Sequence, residues 1–379
     1  MQDSGRQLSP AEAREVDAMR AGGGPITLDP SAATAFDLDA PVPPTTAALT
    51  RLVDARQSVV CKTLRHGAAN GSRWAGSAVA DDPFYWRREA LVYAHGLPGR
   101  LAGRLRGPQC HGVFDRADGS VAIWLEDLAT TTPGARWPLG RYGEAAFDLG
   151  VAQGNAAKHV DQFAPWLSNG WLREYVARSS GDVGLLGDVT AWKDHALGRA
   201  YITADMFGAI RSLWSIREWF LTRLERLPRT LCQLDLHPNN LFADDHGTVL
   251  IDWAYAGVGA VGEDIGNLAL DALWDFHLPP RAASDLARLL VEGYHDGLNT
   301  AGLRISIEVV ELGLTASACV KYLWILPAML RALVDGRETL NRRPISEAFP
   351  TWAQILPHVV HNGERALELA HRLGIGLPR

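Results

Sequence analysis

The pattern of apolar and polar positions changes character once along the chain. Before residue 129 the apolar runs are short and alternate with turn residues, as strands do. Ser9-Pro10-Ala11-Glu12 combines a capping box with proline at the first helical position, which predicts an N-terminal helix, and Gly22-Gly23-Gly24-Pro25 ends it. Residues 26–65 read as β structure with turns, punctuated by Pro41-Val42-Pro43-Pro44. Ser58-Val59-Val60-Cys61-Lys62-Thr63-Leu64 is a compact apolar strand with a lysine inside it. Residues 82–95 read as a helix, with Pro83 near the start and Gly96 beyond the end. Residues 113–114 and 121–125 flank a turn at 115–119, the pattern of a hairpin.

Beyond a Thr-, Pro- and Gly-containing loop at 129–137, helical period dominates. It marks residues 141–155, 168–179, 189–199, 209–227, 282–298, 305–334 and 353–373, while strand signals return at 231–252. The expected class is therefore α+β. Residues 1–22 form an N-terminal helical extension, 23–128 a small antiparallel sheet carrying one helix, and 129–379 a large, mostly helical lobe. A cleft between two such lobes suits a small molecule. Residues 312–330 are weakly polar enough to suggest a membrane span. Lys321 midway and Pro327 near the end favour a buried core helix instead.

Composition narrows the function classes. The 379 residues are 47% hydrophobic and 21% charged, a globular balance. A net charge of −6 (37 − 43) argues against a general nucleic-acid binder, which needs a cationic surface. Cys61, Cys110, Cys232 and Cys319 are dispersed, so neither a zinc site nor a disulfide framework is expected. With the polar start Met1-Gln2-Asp3-Ser4-Gly5, this predicts a cytoplasmic protein without a membrane partner.

The candidate chemistry lies in Gln233-Leu234-Asp235-Leu236-His237-Pro238-Asn239-Asn240, followed by Asp244-Asp245-His246-Gly247 and Ile251-Asp252-Trp253. The Asp-Asp-His-Gly tetrad predicts a turn between two short strands. If Ala243 pairs with Thr248, Asn240 and Asp252 emerge at the same open end, where opposed positions lie about 5 Å apart. Asp235 lies five residues before Asn240. Two carboxylates and an amide oxygen are hard ligands suited to Mg²⁺, whose remaining positions phosphate and water would fill. Phosphoryl transfer also needs a carboxylate that orients the attacking hydroxyl and accepts its proton. His237 and His246 could suggest a transition-metal site, but His246 belongs to the far turn of the hairpin.

These residues resemble the core motif of the aminoglycoside phosphotransferase-like small-molecule kinases, which share the protein-kinase-like fold. The familiar form is H-G-D-x-H-x-x-N followed by I-D-W; here Gln233-Leu234 stands in place of His-Gly. The resemblance implies that Asp235 is the catalytic aspartate and that Asn240 and Asp252 hold Mg²⁺. It makes Lys62 the phosphate-binding strand lysine, with Val60 on the same face against the base and Glu89 as the lysine's partner, although Arg87 and Arg88 compete for Glu89. Glu126, Asp127 and Leu128 fall where the family's hinge reads the base through its backbone. The donor would be ATP or GTP. The acceptor would be a hydroxylated small molecule, as for enzymes acting on antibiotics, choline, sugars or amino-acid derivatives, including resistance or producer self-protection. A non-catalytic nucleotide-binding scaffold and a nucleotidyl transferase are the alternatives on this fold.

No G-x-G-x-x-G precedes Lys62; the expected phosphate loop falls at 40–48, where Thr45 and Thr46 could supply hydroxyls. Glu263, Asp264, Asp271 and Asp275 follow the Asp252 strand, with Trp274 and Phe276 between or beside them. Residues 264, 271 and 275 share one helix face, and an acidic face beside aromatic rings suits a polyhydroxylated acceptor bearing amino groups. A solvated helix face has the same pattern.

Overall fold

The structure, a computed structural model, describes residues 5–38, 45–67, 72–188, 190 and 192–378. It forms two compact units. The first comprises Met1–Thr132, Phe163–Asn169 and Phe242–Ala256; the second comprises Pro133–Gln162, Gly170–Leu241 and Gly257–Arg379.

In the first unit, strand alternation builds a six-stranded antiparallel sheet. Its strands are β1 (Arg6–Gln7), β2 (Thr34–Asp37), β3 (Thr46–Val53), β4 (Ser58–Leu64), β6 (Cys110–Asp115) and β7 (Val121–Glu126), ordered β1-β2-β3-β4-β7-β6. Strand β5 (Leu105–Arg106) pairs instead with Gly247–Leu250, the second strand of the hairpin that begins with Leu241–Asp244. Val59, Cys61, Ala122 and Trp124 pack with Val16 and Met19 of helix α1 (Pro10–Ala21). Thus α1, read from sequence as an extension, covers the sheet and belongs to the core of this unit. Its start has the expected capping box, with Ser9 and Glu12 exchanging hydrogen bonds. Glu15 anchors it further, accepting from Arg116 Nε at 2.7 Å and from Trp124 Nε1 at 2.9 Å.

The helix expected over 82–95 is shorter, α2 (Arg88–Ala94). Upstream backbone bonds run between Ser77 and both Phe84 and Trp86, so those residues are turns and a bridge rather than a first helical turn. Residues 40–44 of the expected phosphate loop lie outside the described residues; Thr46 opens β3 and is buried.

The second unit is helical. It contains α3 (Leu139–Ala156), α4 (Trp171–Ser179), α5 (Ala196–Tyr201), α6 (Ala204–Ser215), α7 (Arg217–Arg226), α8 (Glu263–Trp274), α9 (Ala283–Thr300), α10 (Ile307–Tyr322), α11 (Ile325–Val334) and α12 (Ile345–Arg372). The segment expected over 209–227 starts earlier and breaks at Ile216, and that over 305–334 breaks at Leu323–Trp324. The helix expected over 189–199 reduces to α5, with residues 189 and 191 outside the described residues. Helix α12 begins well before 353 despite Pro350 and Pro357 inside it. The strand Arg229–Cys232 pairs antiparallel with Gly257–Ala260, whose two glycines hid it in the sequence. Ile307–Val334 is long and apolar enough to cross a membrane, yet 83% of its most apolar window is buried inside the protein, as a core helix with Lys321 at its middle would be.

Helices α3 and α9 approach through glycines. A Cβ on Gly150 would lie 2.3 Å from the Tyr294 carbonyl oxygen, and one on Gly297 would lie 2.2 Å from that of Phe147. Backbone cannot retreat from such contacts as a flexible side chain can. Gly297→Ala should therefore destabilise the protein by about 1–3 kcal/mol, the cost of overpacking a core, read as a lower urea midpoint.

Candidate active site

Lys62 emerges from β4 on the face opposite Val59 and Cys61, as the period of two requires, and shares that face with Val60. Its Nζ lies 2.6 Å from Glu89 on α2 and 3.2 Å from Asp252. Burial opposes the charge on Lys62, but the Asp252 and Glu89 carboxylates outweigh it and hold the ammonium above its ordinary pKa. Burial pushes Glu89 up to about 7 against the pull of Lys62. Asp252 itself adopts φ 57°, an uncommon backbone for a non-glycine residue. The structure thus brings together Lys62, Glu89 and Asp252.

Arg88 and Arg87 do not compete for Glu89. Arg87 pairs with Asp115 at 2.6 Å. Arg88 is fully buried and donates to the carbonyls of Asp82, Pro83, Trp166 and Ala254. It ties α2 to the chain just beyond Asp252 and so supports both partners of Lys62. A charged residue beside Glu89 was visible in the sequence; four backbone carbonyls from three separate stretches were not.

The expected hinge is narrower than the sequence suggested. The Glu126 carboxylate is held by Arg106 at 2.7 Å, and its N–H donates to the Gln109 carbonyl at 2.8 Å. Asp127 accepts from Ser58 at 2.5 Å and pairs with Arg51 at 2.9 Å. The Leu128 carbonyl accepts from the Thr131 amide and hydroxyl. These bonds spend both acidic side chains and two of the backbone groups a base would need.

In the second unit, Asp235 sits on the loop after the strand Arg229–Cys232, and a buried carboxylate fixes that loop. Asp264, at the start of α8, accepts from the backbone N–H groups of Gln233 at 2.9 Å and Leu234 at 2.8 Å, and from Gln153 Nε2 of α3 at 2.7 Å. Asn267, one helical turn further, donates to the Leu234 carbonyl at 2.9 Å. The Gln233 side chain accepts the Asp235 N–H at 2.8 Å, so this glutamine, which stands where the resembled motif has histidine, supports the loop. Leu234 has φ 69° where the resembled motif carries glycine, a strain of about 1–3 kcal/mol held by these bonds. Asn240 Nδ2 donates to the Asp235 carbonyl at 3.1 Å, which leaves its amide oxygen as the atom suited to a cation.

The acidic residues expected to line an acceptor pocket each have partners within the second unit. Asp264 is the loop anchor just described. Glu263 is buried, accepts from the Ala260 N–H at 2.8 Å, and is pushed up to about 7 by that burial. Asp271 lies 3.3 Å from the Lys321 ammonium and accepts from Trp274 Nε1. Asp275 lies 3.1 Å from His277 Nε2 and accepts from Asn341 at 3.1 Å; burial raises its pKa, but these bonds offset that and the carboxyl ends below its ordinary value. Trp274 packs edge-on against Trp324 and Trp352, and Phe276 lies under Arg343. Asp264 and Asp271 lie on α8 and are buried, whereas Asp275 caps the end of the helix and stays partly exposed; helix spacing could not reveal which of these acids turn inward. Among the described residues, no group of three or more His, Cys, Asp or Glu is placed to hold a metal.

The chain is similar to known proteins on both counts. A family model described as "Phosphotransferase enzyme family" matches residues 182–298, the stretch with Asp235, Asn240 and Asp252. Choline kinase from Cryptosporidium parvum Iowa II aligns with a TM-score of 0.56 and 13% identity, covering 95% of this chain and 96% of that one. The chain has a protein-kinase-like fold. A microcompartment-associated aminopropanol kinase aligns at 0.54 and 14% identity, covering 93% and 98%. Amicoumacin kinase in complex with AMP-PNP, Ca²⁺ and Ami aligns at 0.52 and 14% identity, covering 92% and 96%. No curated protein sequence matches the chain. The resemblance read from residues 235–240 and 251–253 therefore holds, and the expected α+β class with it.

Asp264→Asn keeps the size of the anchor but removes its charge and one of its acceptor oxygens. Amide exchange at Gln233 and Leu234 should accelerate selectively in this variant, because bonds to a charged acceptor are the stronger kind. Unchanged exchange at both amides would contradict the anchoring role.

Proposed function

We propose that the protein is a small-molecule kinase that transfers the γ-phosphoryl group of ATP or GTP to a hydroxyl. The observation that carries this reading is the prepared loop. Asp264, Asn267 and Gln233 fix its backbone, while the Asp235 carboxyl remains 31% exposed. Such a carboxylate can accept a hydrogen bond from an acceptor hydroxyl and orient it for attack. The acceptor oxygen bonds to the γ-phosphorus, the bond to the β,γ-bridging oxygen breaks, and the nucleoside diphosphate leaves with that electron pair. The hydroxyl proton passes to Asp235 and then to water.

Lys62, held by Glu89, supplies positive charge to the α- and β-phosphates. The base would meet backbone groups of the hinge that these bonds leave over, the Asp127 carbonyl and the Leu128 N–H among them, with Val60 against its face. Asp252 and the Asn240 amide oxygen have the hard donor chemistry of Mg²⁺ ligands. When bound, the ion would neutralise charge on the transferring phosphate. We place the reaction in the cytoplasm, a reading supported by four free cysteines. A resistance or self-protection role would require an antibiotic among the acceptors.

Asp235→Asn should lower phosphoryl transfer by about 10²–10⁴-fold while nucleotide affinity is kept. The check is nucleoside diphosphate release over a panel of hydroxylated metabolites and antibiotics, beside calorimetric nucleotide binding. Full turnover by the folded variant would refute the assignment. Asp252→Ala should lower the gain in nucleotide affinity that Mg²⁺ gives, and Asn240→Ala should do so less, because it removes a neutral ligand. Equal Mg²⁺ dependence in wild type and both variants would remove these residues from the metal site.

A further inference from the structure

Lys321 has no part in the chemistry described so far. It lies midway along the most apolar stretch of the chain and its side chain is 3% exposed. Its Nζ is 3.3 Å from Asp271 and 3.5 Å from Asp235. The ammonium also stands 5.1 Å from the ring centroids of Trp171 and Tyr175 and 5.4 Å from that of Tyr322. Three aromatic rings and two carboxylates are the surroundings that recognise an ammonium group on a ligand. Here the chain's own lysine fills them.

Stability alone does not account for this arrangement. Burying an ammonium is costly, and apolar side chains in place of a buried ion pair are often as stable or more so. Asp271 is on α8, Asp235 on the loop and Trp171 and Tyr175 on α4, so separate elements converge on one nitrogen atom. Electrostatic attraction keeps the ammonium charged, because the pull of Asp271 and Asp235 outweighs the burial that opposes it.

We propose that Lys321 is a built-in cation of the acceptor site, a specificity-determining residue behind Asp235. The inference rests on the kinase reading, which places the acceptor hydroxyl beside Asp235. A second cation next to that hydroxyl would meet a fixed like charge and find its aromatic seat taken. The acceptor is therefore a hydroxyl compound with no cationic nitrogen beside the reacting group: a polyol, a sugar or a hydroxy acid. This reverses the aminated acceptor expected from the acidic residues in sequence, because Lys321 already neutralises Asp271.

The first test needs no turnover. Lys321→Ala vacates the seat, and ethylammonium chloride matches the lost end of the side chain. Calorimetry and thermal shift should show saturable ethylammonium binding to Lys321→Ala, with none to wild type and none when potassium chloride replaces it. A Lys321→Ala protein that folds only with ethylammonium present gives the same result. A folded Lys321→Ala protein without saturable binding overturns the inference and leaves the kinase reading intact.

Lys321→Met keeps the packing and carries the test if Lys321→Ala fails to fold either way. Acceptors are then compared as matched pairs, glycerol against serinol and glycerate against serine, together with whatever acceptor the wild type proves to use. Wild type should favour the member without the amine by at least about tenfold in kcat/KM, given the cost of apposed like charges. Lys321→Met should shrink that preference with nucleotide KM unchanged. Wild-type preference for an amine beside the reacting hydroxyl, or a preference untouched in Lys321→Met, overturns the inference. A folded, nucleotide-binding protein that phosphorylates nothing overturns the kinase reading instead.

Discussion

A carboxylate taken out of water must be met by donors, and Asp264 meets its donors in the backbone of Gln233 and Leu234. That one requirement organises the second unit. It sets the loop from which Asp235 extends, stabilises the left-handed backbone at Leu234, and recruits Gln153 from α3 as a third donor. Gln153 is in turn held by the Tyr294 hydroxyl, and its carbonyl accepts from Thr230 at 2.6 Å. The glycine-lined approach of α3 and α9 brings Gln153 and Tyr294 within reach of each other. Packing, backbone strain and the presentation of Asp235 are consequences of a single buried charge.

The same physics recurs around two lysines. In the first unit, Lys62 is buried because Glu89 and Asp252 neutralise it, and Arg88 holds both of their surroundings in place. In the second, Lys321 is buried because Asp271, Asp235 and three rings surround it. Each ammonium is fixed before any ligand arrives. On the kinase reading, the fixed charge of Lys62 would meet phosphate without reorganisation, whereas that of Lys321 would bear on which acceptor fits.

Much of this was legible in the sequence because local pattern carries it. Period-two alternation placed Lys62 opposite Val59, the Asp-Asp-His-Gly tetrad placed a turn, and the spacing of Asp235, Asn240 and Asp252 pointed to phosphoryl transfer. What was hidden depends on long-range packing. Asp264 and Asp271 look like any acidic helix positions until α3, α8 and α10 come together. The strand Gly257–Ala260 has glycines where strand formers are expected, since a Cβ on Gly259 would strike the Cys232 sulfur at 2.6 Å. Lys321 was visible as a charge out of place, but only its neighbours turn that oddity into a site. Gln233 departs from the resembled motif letter by letter, whereas the loop needs an acceptor for the Asp235 N–H, and a glutamine oxygen serves.

The central claim is that the γ-phosphoryl group leaves the nucleotide for a hydroxyl beside Asp235. Following a label in the γ-phosphate of ATP tests it most directly, with Mg²⁺ and a panel of hydroxylated compounds. Transfer beside Asp235 puts the label on an acceptor oxygen and lets unlabelled ADP accumulate in equal amount. Label released in pyrophosphate, with AMP on the acceptor, would contradict it, as would label that stays on the ATP bound to the folded protein across the whole panel.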